Sequence, residues 1–447
     1  MSGEIYVSNL AGMFDYQEIL NTYYQAQMRS VSFLENQESI LEDKISAVNE
    51  FSNKIDNIYS SFNNLTSTNI LNEKKVSVSD DNVITATITD PQSAIEGSVE
   101  IDVKQLAKND VWFSQSGVSD LTSAVATEDG TIQISYAGNV VATINYDTDT
   151  SDSSKPSTLQ EIATAINNAQ DKVKASVVFD GFQYRLLLEG ADTGSNNTVS
   201  IEEVGSGDLL DQLQLGSDYS SSHVQTAQDA VVSVYGSDIS NSTNTFNGAI
   251  PGVSFTVKEE NSSATISVEK DYQPFKDALN KFISSYNDLV DFVQTEGGKN
   301  GILAGDVNLQ IVRSGILSRM QPLFDLDILS VDKDTGHISV DSSKLNGLLE
   351  NSPDEVEEAI DELKSSLYDY LLYLKDPSGP IESEETALNE QKNHMEDQID
   401  EMKKIVDSQV EIFRKQLIQV QLLQEKMQEI RAKLTATFGN ISLLPSK

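Results

Sequence analysis

The 447-residue chain carries 31 basic against 70 acidic residues, a formal charge of -39, with a hydrophobic fraction of 38%, a charged fraction of 23% and no cysteine. Such an acidic surface repels phosphate backbones and anionic lipid heads, which sets nucleic acid and membrane insertion aside; without cysteine, disulfides, thiol nucleophiles and thiolate metal sites are excluded. The length leaves room for several domains, and the low apolar share calls for elongated modules with modest cores.

The first basic residue is Arg29, so the leading residues lack the charged n-region and apolar h-region of a cleaved signal, and no apolar run could span a bilayer. Export, if it occurs, is expected by another route. Asp15 with Glu18 resembles a capping box that starts a helix, whose apolar residues Leu41, Ile45, Val48, Phe51, Ile55, Ile58, Phe62 and Leu65 recur every three or four positions. After Leu71 the pattern alternates through Val76, Val78, Val83, Thr85, Thr87, Thr89, Val99, Ile101 and Val103, which predicts half-buried strands. A hairpin is expected from 131–136 and 140–146 around Ala137-Gly138-Asn139, with Gly138 and Asn139 in the left-handed conformation.

Past a polar loop at 147–156, Ser157 reads as an N-cap with Gln160 at N3, opening a short helix with Leu159, Ile162, Ala163 and Ile166 on its apolar face. Strands resume at 176–179 and 184–188 around Asp180-Gly181, and alternation continues through Val232, Val234, Val253, Phe255, Val257, Ile266 and Val268. Beyond Pro274, Phe275, Leu279, Phe282, Ile283, Tyr286, Leu289, Val290 and Val293 return to helical spacing, ending at Gly297-Gly298. A second helix is expected after Asp306, a hairpin strand at 338–340, and a third helix capped by Ser352 with Pro353 at its first position. After a breaker at 376–379 the last helix carries Met395, Ile399, Met402, Val406, Val410, Phe413, Leu417, Val420, Leu423, Met427, Ile430, Leu434 and Phe438, uninterrupted by proline. Such stripes are ordinarily core, but roughly fifty helical residues span about 75 Å. That exceeds the width of a compact domain, so the seam is expected to meet a partner outside the chain.

Chemical apparatus is sparse. His223, His337 and His394 lack metal-ligand spacing and read as solvated polar residues, and no G-x-S-x-G elbow occurs. Gly297, Gly298, Lys299 and Gly301 fail the phosphate-loop spacing and read as a flexible helix terminus. Asp332, Asp334, Gly336 and Asp341 lack the third acidic ligand of a calcium loop and read as a hairpin turn, with Asp334 and Gly336 in its tight positions. Trp112 is the only tryptophan, which argues against an aromatic sugar platform. No catalytic residue, cofactor or metal is expected, and the chain reads as an assembly subunit rather than an enzyme.

Several stretches resemble the flagellar hook-associated protein 2, or filament-capping, family of bacteria. Leu10-Ala11-Gly12-Met13-Phe14-Asp15 with Glu18-Ile19-Leu20 is similar to the family's opening, although Met13-Phe14 replaces the usual Ser-Gly. The run from Leu159 to Asn167, then Ala175 to Val178, Tyr184-Arg185-Leu186 and Thr193-Gly194, resembles the IN motif shared by flagellins and hook-associated proteins. Ala227 to Ala230, Ser242 to Thr245 and Ile250 to Val253 resemble the second half of the inserted domain. Tyr286 to Leu289, Leu303 to Asp306 with Arg313, and Gly336 to Asp341 with Leu345 resemble the helical part that follows.

The resemblance implies export through the flagellar type III apparatus with an export chaperone, and a homo-oligomeric ring at the distal filament tip that retains exported flagellin and promotes its folding. Another axial or junction subunit, or a surface adhesin binding host mucin glycans through the β head, remains the alternative. The expected fold is α+β and multidomain: coiled-coil-like helical N- and C-terminal legs and a helical domain enclose an inserted, mainly β head of two domains. The boundaries are 1–45 for an N-terminal leg mobile in the monomer, 46–71 plus 271–386 for the helical domain, 72–109 plus 224–270 and 110–223 for the head, and 387–447 for the C-terminal leg. The seam residues expected to meet other copies or flagellin are Leu41, Ile45, Val48, Ile55, Ile58, Phe62, Met402, Val406, Val410, Phe413, Leu417, Val420, Met427 and Leu434.

Overall fold

The computed structural model describes residues 15–152 and 154–439. The motif at Leu10 to Phe14, the rest of residues 1–14 of the N-terminal leg expected to be mobile, the side chain of Phe438 and residues 440–447 lie outside the described residues. The chain opens with α1 (Tyr16–Leu65), followed by β1 (Lys74–Val78), β2 (Ile84–Ile88), β3 (Gly97–Gln105), β4 (Val111–Phe113), β5 (Gly130–Tyr136) and β6 (Asn139–Tyr146). Next come α2 (Leu159–Ala169), β7 (Val173–Phe179), β8 (Tyr184–Gly190), β9 (Val199–Glu203), α3 (Leu209–Leu213) and β10 (His223–Gln225). Strands β11 (Ala230–Val234), β12 (Ser237–Asn241), β13 (Thr245–Ile250), β14 (Val253–Val257) and β15 (Ser262–Lys270) complete the β region. The chain then runs through α4 (Gln273–Glu296), α5 (Val307–Arg319), α6 (Gln321–Asp325), β16 (Leu329–Val331), β17 (Ile338–Val340), α7 (Ser342–Asn351), α8 (Pro353–Lys375) and α9 (Pro380–Gly439). Two compact units result, Met1–Thr68 with Phe275–Lys447, and Asn69–Pro274.

In the helical unit Asp15 caps α1, its carboxylate accepting from Gln17 N and Glu18 N. The second half of α1 is core. Phe51 stacks on Phe292 with ring centroids 5.9 Å apart, and Phe62 lies 6.2 Å from Phe282. Burying each such side chain contributes about 1.5–3 kcal/mol, which fixes this half of α1 against α4. Asp306 and Asp341 cap α5 and α7. Ser352 stands at the N-cap of α8 and Pro353 opens the helix, but the Ser352 side chain makes no capping bond, so the proline's fixed φ begins the helix without it.

The β16–β17 turn is held by Asp332, whose Oδ1 accepts from Asp334 N and Thr335 N, with Gly336 at φ +72°. Asp332, rather than Asp334, is thus the turn-forming acid, because its carboxylate is spent on backbone N–H groups. The glycines after α4 are folded, not a flexible terminus. Gly297 N donates to Val293 O, Gly301 N to Gly298 O and Leu303 N to Glu296 O.

The β unit contains two hydrophobic cores. One gathers inward residues of the antiparallel sheet β1-β15-β3-β11-β12 and of β13-β14-β2, among them Ile84, Ile101, Val232, Phe255 and Ile266. The other lies among β10-β4-β8-β7, β6-β5-β9 and α2, and includes Trp112, Ile134, Ile162, Leu186 and Leu213. In the β5–β6 hairpin the left-handed residues are Ala137 and Gly138, with φ of 48° and 75°; Asn139 already pairs with Tyr136 as strand. Two consecutive positive φ values are what a two-residue turn of matching twist requires. The cap of α2 sits one residue beyond the expected place: Thr158 and Glu161 form the reciprocal box, and Glu161 also accepts from Ser157 N.

Beside the second core lies Asp110, which is 1% exposed. Its Oδ1 meets His223 Nε2 at 2.7 Å and accepts from Ala227 N at 2.9 Å; its Oδ2 accepts from Val199 N at 2.7 Å and Trp112 Nε1 at 3.2 Å. His223 stacks on Trp112 at 4.2 Å. His337 likewise meets Asp291 Oδ1 at 2.7 Å. Neither histidine is simply solvated, because each ring closes a long-range contact; only His394 is exposed on its helix, beside Gln398.

Candidate assembly interface

The first half of α1 pairs with α9. Charge pairs and rings fix the register: Lys392 meets Glu42 at 3.0 Å, Lys403 meets Glu35 at 2.9 Å, Tyr23 stacks on Phe413 at 4.2 Å, and the Tyr16 hydroxyl donates to Gln424. As numbering falls along α1 it rises along α9, so the helices are antiparallel. Between them Val31, Ile399 and Val406 are buried, flanked by Tyr24, Met28, Leu34, Met395, Met402 and Val410. Hydrogen bonds donated to Glu42 and then Glu396 hold the Lys392 ammonium above the usual lysine range, and one donated to Glu35 does the same for Lys403. These are exposed pairs, which set register more than they add stability.

The fourteen expected seam residues fall into four groups. Val48, Ile55, Ile58 and Phe62 are buried in the helical unit's own core and present nothing to another molecule; a helical stripe alone does not say which neighbour covers it. Met402, Val406 and Val410 lie in the α1–α9 seam, where Phe413 is half-buried beside Tyr23. Leu417 is half-buried close to where α1 begins, and Leu41 and Ile45 are half-buried on α1 itself. Val420, Met427 and Leu434 are exposed, together with Leu423 and Ile430. This last row continues past Tyr16, where described α1 starts.

Sequence reading missed the matching face of α1. Tyr24, Met28, Val31 and Leu34 repeat in steps of four, three and three, and extending the stripe backward from Leu41 would have found them. It also missed the Glu35 and Glu42 partners, since single charges on a helix do not announce a register. Among the described residues no helix is long and apolar enough to cross a membrane, and no group of three or more His, Asp or Glu could hold a metal ion.

Residues 12–110 match the family described as Flagellar hook-associated protein 2 N-terminus, and residues 227–429 match Flagellar hook-associated protein 2 C-terminus. Between the two lie most of the residues of the second β core. The flagellar hook-associated protein 2 of Aquifex aeolicus is 28% identical over 363 residues, covering 79% of this chain and 79% of its own length. That of Escherichia coli K12 is 23% identical, covering 96% and 97%. Among solved structures, the flagellar cap protein FliD D1-D2-D3 domains from Escherichia coli have a TM-score of 0.55 at 24% identity, covering 77% of this chain and 99% of that one; this likeness bears on the fold, α+β with a β head. With both family segments matched in order on either side of the second β core, the chain belongs to the flagellar hook-associated protein 2 family.

Proposed function

We propose that the chain is a flagellar filament cap subunit, acting as a homo-oligomer at the distal filament tip outside the cell. There it retains exported flagellin and promotes its folding and insertion into the lattice, after passage through the type III export apparatus with a chaperone. Family membership supports this reading, and the Escherichia coli structure that the chain resembles is of a flagellar cap protein. The observation that carries it is the α9 row from Val420 to Leu434, an apolar seam that starts inside the subunit and continues uncovered among the described residues. A purely apolar row tolerates small register shifts, which suits a cap that moves as each flagellin is added. Leu41, Ile45 and the buried seam residues hold the leg together, while Val420, Met427 and Leu434 carry the outward contact. The two β cores support dividing the head at residues 110 and 223. Deleting the gene in its host tests the reading: non-motile cells releasing soluble flagellin, rescued by the intact chain labelled at filament tips, are expected. Normal filaments in the deletion strain, or label along the filament shaft, would contradict it.

A further inference from the structure

The flanks of the α9 row carry charge of one sign. Val420, Leu423, Met427, Ile430 and Leu434 advance by 3, 4, 3 and 4 positions and are 47–62% exposed. With Val420 at heptad position a, the e and g positions that border the row are Gln424, Lys426, Arg431 and Lys433. Every charged border residue is basic, on a chain of net charge -39. The acids of the same stretch, Glu425 and Glu429, sit at f and c, away from the row; Glu429 reaches Lys433 at 2.7 Å as an exposed i,i+4 pair.

Where α9 has a partner, the rule is already visible. Lys392 and Lys403 meet Glu42 and Glu35 of α1, so two lysines of α9 are matched by acids across the seam. The described α1 starts at Tyr16, opposite Gln424, and the one described residue before it, Asp15, spends its carboxylate on capping Gln17 N and Glu18 N. A second copy of this same row does not fit. Parallel pairing places Lys426 opposite Arg431, and antiparallel pairing places lysine against lysine and arginine against arginine, both repulsive.

We propose that the α9 row beyond Gln424 docks an amphipathic helix whose apolar stripe is bordered by glutamate or aspartate, forming a heterologous coiled-coil seam that continues the α1–α9 pairing. Apolar rungs supply the affinity and the flanks supply the choice of partner. This stands on the helix itself and not on the cap reading, so either can fail without the other.

Designed helical peptides of about three heptads with identical leucine stripes, one Glu-flanked and one Lys-flanked, test the proposal against the full chain by fluorescence anisotropy. The Glu-flanked peptide is expected to bind at least about tenfold tighter, with the margin shrinking as salt rises. The order is expected to invert in the K426E/R431E/K433E chain, and Leu423→Asp with Ile430→Asp to abolish binding while circular dichroism shows α9 still helical. Equal binding, or preference for the Lys-flanked peptide, overturns the proposal. So does self-association of the full chain in sedimentation that Leu423→Asp removes while neither peptide binds, which would make a second copy the occupant. Absence of both peptide binding and self-association overturns it as well.

Discussion

Asp110→Asn is the sharpest probe of the β unit. The wild-type carboxylate presents two acceptor oxygens to four donors, with His223 and Ala227 N on one, Val199 N and Trp112 Nε1 on the other. An asparagine of the same shape keeps one oxygen and turns an NH2 toward the remaining two donors. Two hydrogen bonds to a charged group, worth about 1.5–3 kcal/mol each, are lost together. Because they share one side chain they do not add fully, and a net cost of about 3 kcal/mol follows. With a urea slope of about 2–3 kcal/mol/M for a unit of this size, the midpoint falls by about 1–1.5 M. Trp112 is the chain's only tryptophan and stacks on His223, so its fluorescence reports this unit without interference. A midpoint shift under about 0.2 M would refute the idea that Asp110 ties Trp112 and Val199 to the segment at His223 and Ala227.

Three further outcomes are expected. Val406→Asp places a carboxylate at a site 2% exposed, costing on the order of 3 kcal/mol or more; hydrogen exchange should rise in the paired lengths of α1 and α9 while α4 stays protected. Burial, with neighbouring Asp306 adding to it, raises Glu384 above the ordinary glutamate value, against an opposing hydrogen bond from Asn308. The folded chain therefore holds that proton longer than the unfolded one and loses stability as pH climbs from the ordinary value through the raised one. Glu384→Gln should melt higher than wild type at pH 7, with the gap closing below about pH 4; a gap that widens on acidification contradicts the sign. Gly194→Ala puts a Cβ 2.7 Å from Ser242 Cβ at φ +110° and is expected to cost about 1–3 kcal/mol, read as faster proteolysis of the 191–197 loop.

Periodicity exposed the helices and most strands because burial on one face imprints a step of 3.6 or two on the residue choice. It could not say what covers each face. Phe62 and Met427 belong to the same kind of stripe, yet one is buried against α4 and the other is exposed; the difference lies in where helices of unequal length end, which composition does not encode. Turn and cap positions shifted by a residue for a similar reason. Ser157 and Thr158 are both competent caps, and the reciprocal bond from Glu161 selects the second. The His223–Asp110 contact spans 113 positions and leaves no local trace. Family resemblance, by contrast, reached the assembly reading without any of these details.

The most direct test combines Leu423→Asp and Ile430→Asp in the full chain and returns it to the deletion strain. Both side chains are exposed, so thermal unfolding should match wild type, while cells lose swimming and release soluble flagellin. Wild-type filaments assembled by this variant, with its folding unchanged, would show that the uncovered row of α9 plays no part in capping.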